Sequence, residues 1–413
     1  MRDVVPKIAH LPGVMVPVSL LMDPDGFGGQ VLGDCLAGDL VIRDGRAAGL
    51  EVGGTQPTRL VLPRFTEPHV HLDKCHTIDR MQGVGGGLNE AIKAQARDRA
   101  TWTEADIRVR AQRGLQELVD AGCSAIRTHV DWGTAADPSA TPLAWDIVGE
   151  LAEDLTGDII LQRAALTDAA RMVEDDYAEL CALQVSRADA VLGAFVLNQP
   201  NRQDGILSTF RIADKIGAAL DFHVDEGLEL GLNGLEMIAD AALEVGFEGP
   251  VLCGHACSLM NFGTADVQRI ADKLARAGIS VAALPATNLY LQGRNTGTPD
   301  RRGITRIREL QDAGVNVVLG ADNVGDAFCP LGSHNPLATL SLAALAAHLD
   351  PPFGRHLPMI TTGARRALGL APETVDGAAI GDLQLFDAQS VTAILGTGRA
   401  PRPLVEALQG GQQ

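Results

Sequence analysis

The stretch Phe65-Thr66-Glu67-Pro68-His69-Val70-His71-Leu72-Asp73-Lys74 decides how the chain is read. It follows Leu60-Val61-Leu62-Pro63, a short apolar run with the texture of a buried strand. We read that strand as ending at Pro68, which puts His69 and His71 at its exit. Side chains two apart on extended backbone point the same way. Two imidazoles are thereby aimed into one space from a rigid support, as a first-row metal requires. A lone His-x-His pair is common and more often binds nothing, so its meaning rests on what the rest of the chain supplies.

Composition narrows the field. A chain of 413 residues with 46% hydrophobic and 21% charged residues is long enough for one large domain plus a small one, and it is not disordered. No apolar run has the length of a membrane span, and Met1-Arg2-Asp3-Val4-Val5-Pro6 lacks the features of a signal peptide, so the expected location is the cytoplasm. A formal net charge of −18 argues against a nucleic acid or an anionic membrane as partner. The seven cysteines form no Cys-x-x-Cys pair and read as buried, reduced thiols.

Seven further apolar runs follow the opening strand: Ser124–Val130, Asp158–Leu166, Ala190–Val196, Ala219–Val224, Pro250–Cys253, Gly278–Leu284 and Val315–Leu319. Between them lie stretches long enough for crossover helices, such as Ile206–Ile216 and Thr264–Ala277. Thr103 through Ala121 reads as a helix with Thr103 as N-cap and Gly122 at the stop. Eight β-α units predict an α/β fold, a (β/α)8 TIM-like barrel over residues 60–374. Residues 1–59, with a strand-turn-strand pattern at Gly38–Arg46, and residues 375–413, with Gly381–Asp387, are expected to combine into a small β-sandwich. The Gly-rich segment Gly83-Val84-Gly85-Gly86-Gly87 has the wrong spacing for a phosphate loop and is read as a mobile flap near the site.

In such barrels the chemistry sits at the C-terminal ends of the strands. There the sequence has Asp221-Phe222-His223-Val224-Asp225-Glu226 after the fifth strand and Cys253-Gly254-His255-Ala256-Cys257 after the sixth. Leu319-Gly320-Ala321-Asp322-Asn323 follows the eighth. Taken singly, these histidines read as core residues and Asp322 as a turn residue. Their recurrence at strands one, five, six and eight is what points to a metal centre.

With Glu67-Pro68-His69-Val70-His71-Leu72-Asp73, Arg127-Thr128-His129-Val130-Asp131, His223-Val224-Asp225-Glu226, Asn288-Leu289-Tyr290-Leu291-Gln292-Gly293-Arg294, Arg301-Arg302-Gly303-Ile304-Thr305-Arg306 and Pro330-Leu331-Gly332, the chain resembles the amidohydrolase superfamily. Within it, the resemblance is to the metal-dependent cytosine deaminase group. It implies one divalent metal ion, Zn2+ or Fe2+, held by His69, His71, His223 and Asp322, with Glu226, His255 and Asp322 as catalytic residues. Glu226 would protonate a ring nitrogen, His255 would stabilise the tetrahedral centre, and Asp322 would carry a proton to the departing amine. Asp168, Gln292, Asn323, Phe328 and Leu88 are the expected substrate contacts. His129 and Asp131 read as structural residues under the site, and His76, His334, His348 and His356 as surface or cap residues. The implied partner is a small heterocyclic amine, and relatives of this kind are often homo-oligomers.

The pattern departs from bacterial cytosine deaminases where Ala321 and Asn323 replace a histidine and an aspartate around Asp322, and where Asp168 replaces a pyrimidine-reading glutamine. An ionised aspartate only accepts hydrogen bonds, so a ligand presenting two donors would pair with it and cytosine's 2-carbonyl would not. The expected activity is thus hydrolytic deamination of cytosine or a related substituted pyrimidine. An N-alkyl aminotriazine hydrolase of the isopropylammelide type is the alternative. A cyclic amide hydrolase is a weaker one, because it needs a bridging lysine on the fourth strand and Ala190–Val196 has none. A catalytically inactive metal-binding scaffold is the remote one.

Overall fold

The structure, a computed structural model, describes residues 8–132, 141–155, 159–295 and 297–410. Met1–Pro6 and Asp158, which entered the reading above, lie outside the described residues. The apolar runs form eight strands that we number β1 (Phe65–Val70), β2 (Cys123–Asp131), β3 (Ile160–Asp168), β4 (Val191–Val196), β5 (Leu220–Val224), β6 (Val251–His255), β7 (Ser280–Ala283) and β8 (Val317–Leu319). They pair in parallel in chain order. Every residue of β1, β5, β6, β7 and β8 is buried, as expected of strands covered on one side by helices and on the other by their own interior.

A parallel bridge between Val70 and Asp322 joins the first strand to the chain just past the last. The Asp322 N–H donates to the His69 carbonyl at 2.8 Å, and the His71 N–H donates to the Asp322 carbonyl at 3.3 Å. Glu67, buried below them, accepts from the His69 N–H at 2.9 Å and from the Ala321 N–H at 3.1 Å. Burial pushes its carboxyl up to about 8, with these two amides pulling the other way. Pro68 cannot donate to a ladder, and the pairing with β2 shifts register between Glu67 and Val70. This local bulge turns the two histidines inward. The strand therefore runs through Pro68 to Val70, and His69 lies inside it rather than beyond it.

Leu60–Pro63, expected as the start of the barrel, belongs elsewhere. Strand Arg59–Pro63 pairs with Ile8–Pro17 on one side and antiparallel with Leu383–Phe386 on the other. Both chain ends thus combine as expected, into one seven-stranded sheet, and this sheet extends past the anticipated boundary at residue 59 to Pro63. The Gly38–Arg46 pattern is a hairpin whose turn residues, Asp44 and Gly45, have φ of 50° and 74°, which suits the right-handed twist of the flanking strands. The helix after the glycine segment spans Leu88–Arg99, and the next spans Glu104–Asp120, with the Thr103 hydroxyl accepting from the Asp106 N–H. All seven cysteines are buried free thiols. Among the described residues no helix is long and apolar enough to cross a membrane.

Inside the barrel, Arg127 on β2 is 0% exposed and places Nη1 2.9 Å from Asp221 Oδ2, while Gln162 accepts from its other nitrogens. Asp221 Oδ1 lies 3.0 Å from His129 Nε2. Burial opposes the Asp221 charge, but His129 and Arg127 hold the carboxyl at about 2. A buried pair that loses one partner leaves an uncompensated charge. Arg127→Met is expected to cost about 3–5 kcal/mol in urea denaturation; a cost below about 1 kcal/mol, the level of an exposed pair, would contradict this role.

Candidate metal centre and active site

At the mouth of the barrel the side chains from β1, β5 and the segment after β8 converge. His71 Nε2 lies 3.1 Å from His223 Nε2 and 3.3 Å from Asp322 Oδ1, and His69 Nε2 lies 3.5 Å from the same oxygen. All four residues are buried. Glycines on neighbouring strands make this approach possible. A Cβ at Gly254 would sit 2.8 Å from His69 Cε1, and one at Gly320 would sit 2.8 Å from His69 Cβ. Asp225, His255, Ala256 and Asp322 take positive φ of 52°, 70°, 51° and 58°, a conformation that non-glycine residues seldom adopt and that gathers at functional sites.

The donor set fits a divalent ion. Burial lowers the pKa values of His69, His71 and His223, which favours the neutral imidazoles that can ligate a metal. Burial works against the Asp322 charge, but His255, His69 and His71 hold that carboxyl well below the usual carboxylate range. Neither oxygen of Asp322 nor either ring nitrogen of His69 has a hydrogen-bond partner in the protein, which is costly for buried polar atoms unless something else binds them. Two overlapping four-residue sets lie close enough to share an ion, one including His129 and the other His255. Together the two sets contain all four residues expected from the sequence, His69, His71, His223 and Asp322; of the other two, His129 Nε2 lies 3.0 Å from Asp221 Oδ1 and His255 Nδ1 lies 3.2 Å from Asn288 Oδ1.

Glu226 stands beside this group. Its Oε2 lies 3.6 Å from His255 Nε2, and burial pushes its carboxyl up to about 7, with His255 pulling the other way. Asp225 fixes the turn that carries it, accepting from the Gly234 and Leu235 N–H groups and from the Ser258 hydroxyl. A cavity of about 580 Å3 opens onto His71, His223, Glu226, His255 and Asp322.

Three of the five expected substrate contacts, Asn323, Phe328 and Leu88, border this cavity. Asp168 and Gln292 do not. Asp168 Oδ1 instead accepts from the Ala170 N–H at 2.9 Å and from Gln199 Nε2 at 3.2 Å, capping a short helical turn. Gln292 Nε2 donates to the Glu226 carbonyl at 3.3 Å and so supports the acid from behind. Arg301 donates to Asn261 and Arg302 to the Leu289 carbonyl, holding the loop after β7. Besides Glu226 and Asp322, Asp131 borders the cavity, a carboxylate read from sequence as structural. Lys74 Nζ lies 3.3 Å from Asp131 and 4.6 Å from the Phe328 ring centroid, and Arg99 donates to Asp131 from above. Lys74 lies in the opening motif itself, so sequence offered a signal for it. Arg99 and Gln95, both on the cavity wall, carried none beyond their helical spacing from Leu88.

A model of the amidohydrolase family matches residues 189–375. A pterin deaminase of Rhizobium rhizogenes is 33% identical over 394 residues, spanning 91% of this chain and 88% of that protein. The chain belongs to the amidohydrolase family. Within that family it falls in the deaminase-like group. An N-isopropylammelide isopropyl amidohydrolase of a Pseudomonas species is 22% identical over 75% of each chain. Among solved structures, the amidohydrolase fold here is similar to that of 5-methylcytosine deaminase from Klebsiella pneumoniae liganded with 5-fluorocytosine, with a TM-score of 0.78 and 24% identity over 96% of each chain.

Amidohydrolases depend on a metal, and this site predicts one tightly held ion. Elemental analysis of the purified protein is expected to give about one divalent ion per chain. His223→Ala and Asp322→Ala are each expected to lower the content about tenfold or more, the usual scale even for residues behind a ligand. Full retention of the ion in both variants would contradict the ligand assignment.

Proposed function

We propose that this amidohydrolase is a metal-dependent hydrolytic deaminase of an amine-bearing nitrogen heterocycle, and that its substrate is a fused, oxo-substituted aminopyrimidine of the pterin type rather than cytosine. The observation that carries the reaction class is Glu226, a buried carboxyl whose acidity is set near neutrality, next to His255 and a cluster of unpartnered ligand atoms at the floor of one cavity. The substrate class is supported by the pterin deaminase of Rhizobium rhizogenes, which matches this chain over nearly its whole length. The cavity, about 580 Å3, leaves room beyond a single six-membered ring, and Leu88, Leu166, Phe195 and Phe328 give it apolar walls.

A divalent ion held by His69, His71, His223 and Asp322 would supply an activated water near neutral pH. The rest falls to the chain's own side chains. Phe328 and Phe195 flank the cavity and orient a flat ring. Glu226 Oε2 holds a proton and delivers it to the ring nitrogen next to the amine-bearing carbon, which makes that carbon electrophilic. His255, with Nδ1 on Asn288, presents Nε2 to the oxygen that adds to the ring. Asp322 takes one of the two protons of the water and passes it to the amine, and the other restores the proton that Glu226 gave up. Water and the ring amine thus become a ring carbonyl and ammonia. Zinc and iron both suit this mixed imidazole and carboxylate set.

Release of the amine, ammonia in most cases and isopropylamine from the triazine, tests the proposal across a panel of cytosine, 5-methylcytosine, an N-isopropyl aminotriazine and 2-amino-4-oxopteridine. The pteridine is expected to have the highest kcat/KM, about tenfold or more above cytosine, the scale a pocket obtains from modest additional contact. Glu226→Gln is expected to retain its metal and lose about 10²- to 10⁴-fold in kcat. Silence of the metal-loaded protein towards every ring amine would overturn the reading.

A further inference from the structure

Gln95 sits on the helix Leu88–Arg99 and is 2% exposed. It shares a helical face with Leu88, Ile92 and Arg99, and all four border the catalytic cavity. Its Oε1 and Nε2 are both enclosed, and neither has a hydrogen-bond partner in the protein. Native folds leave few buried amides unmatched, and each one asks for a reason. Helix formation supplies none here, since leucine and methionine suit a helix as well as glutamine does. The other polar groups on this wall are engaged with one another: Arg99 and Lys74 with Asp131, and Lys74 also with the face of Phe328. Gln95 borders the cavity while its amide atoms are covered by neighbouring protein, so a rotation of the side chain is what brings the amide to a partner there.

A carboxamide offers an acceptor and a donor side by side. That pair is complementary to a ring N–H beside a ring carbonyl, the lactam edge that an oxo-substituted aminopyrimidine retains after its amine has been hydrolysed. A buried amide of this kind rejects a ligand lacking the matching edge, because its own groups then stay unpaired. We propose that Gln95 is a specificity-determining residue that pairs with the lactam edge of the heterocycle, in substrate and product alike. The proposal rests on the deaminase reading for the identity of the ring but not for the pairing itself.

The test uses the metal-loaded, full-length protein and two variants, Gln95→Met, which keeps the length and removes the amide, and Gln95→Glu, which keeps the shape and removes the donor. Calorimetric titration with 2,4-dioxopteridine reads binding without turnover, and the kinetics of 2-amino-4-oxopteridine read its catalytic counterpart. Both variants are expected to weaken dioxopteridine binding about 10- to 100-fold, with the kinetic loss falling on KM more than on kcat. The melting temperature of Gln95→Met is expected to stay level or rise, because an unmatched amide has been removed. Wild-type affinity in either variant would overturn the proposal, as would a wild-type protein that does not bind the dioxopteridine. So would a fall in melting temperature accompanied by a loss confined to kcat. Wild-type binding that depends on Gln95 but is not accompanied by ammonia release would sink the deaminase reading and leave the pairing standing.

Discussion

The barrel closes where its proposed metal ligands sit. The hydrogen bonds that join β1 to the segment after β8 run from Asp322 to His69 and from His71 back to Asp322, so the backbone seam and the proposed metal centre share residues. Glu67 ties this seam from below through the His69 and Ala321 amides, and Gly254 and Gly320 leave space for the His69 ring. A ligand geometry set by loops alone would drift by fractions of an ångström. One set by ladder hydrogen bonds inherits the rigidity of the sheet. The left-handed residues at the strand exits fit this picture, because only an over-determined surrounding holds such backbone in place.

Around the seam, burial raises two carboxyls alike and their neighbours separate them. Asp322, pressed against His255, His69 and His71, is held well below the usual carboxylate range; Glu226, whose desolvation is opposed by His255 and Lys74 but reinforced by the Asp322 charge, is pushed up to about 7. In the proposed reaction Glu226 thus begins with a proton to give and Asp322 begins as an anion able to take one, a difference that environment alone creates. Further out, the Arg127–Asp221–His129 chain supports the ligand floor, with the His129 and His69 ring centroids 4.1 Å apart.

The cluster of His69, His71, His223 and Asp322 with Glu226 beside it was legible in sequence because each interrupts an apolar run at a strand end, where nothing in the packing calls for a titratable group. The barrel was legible for the same reason, from the spacing of those runs. The placement of Leu60–Pro63 was not, since a single residue, Arg64, separates it from β1 and both flanks read as buried strand. Asp168 misled because a carboxylate at a strand exit looks the same in sequence whether it faces the cavity or caps the next turn. Gln95 was invisible for a different reason. The amphipathic pattern of a helix shows that one face is buried but not what that face meets.

The most direct measurement is a crystal structure of the protein reconstituted with zinc, with anomalous diffraction recorded at the zinc edge. The account predicts one anomalous peak, about 2.0–2.2 Å from nitrogens of His69, His71 and His223 and from an oxygen of Asp322. A peak ligated instead by His129, or the absence of any peak between these four side chains in a zinc-replete crystal, would contradict it.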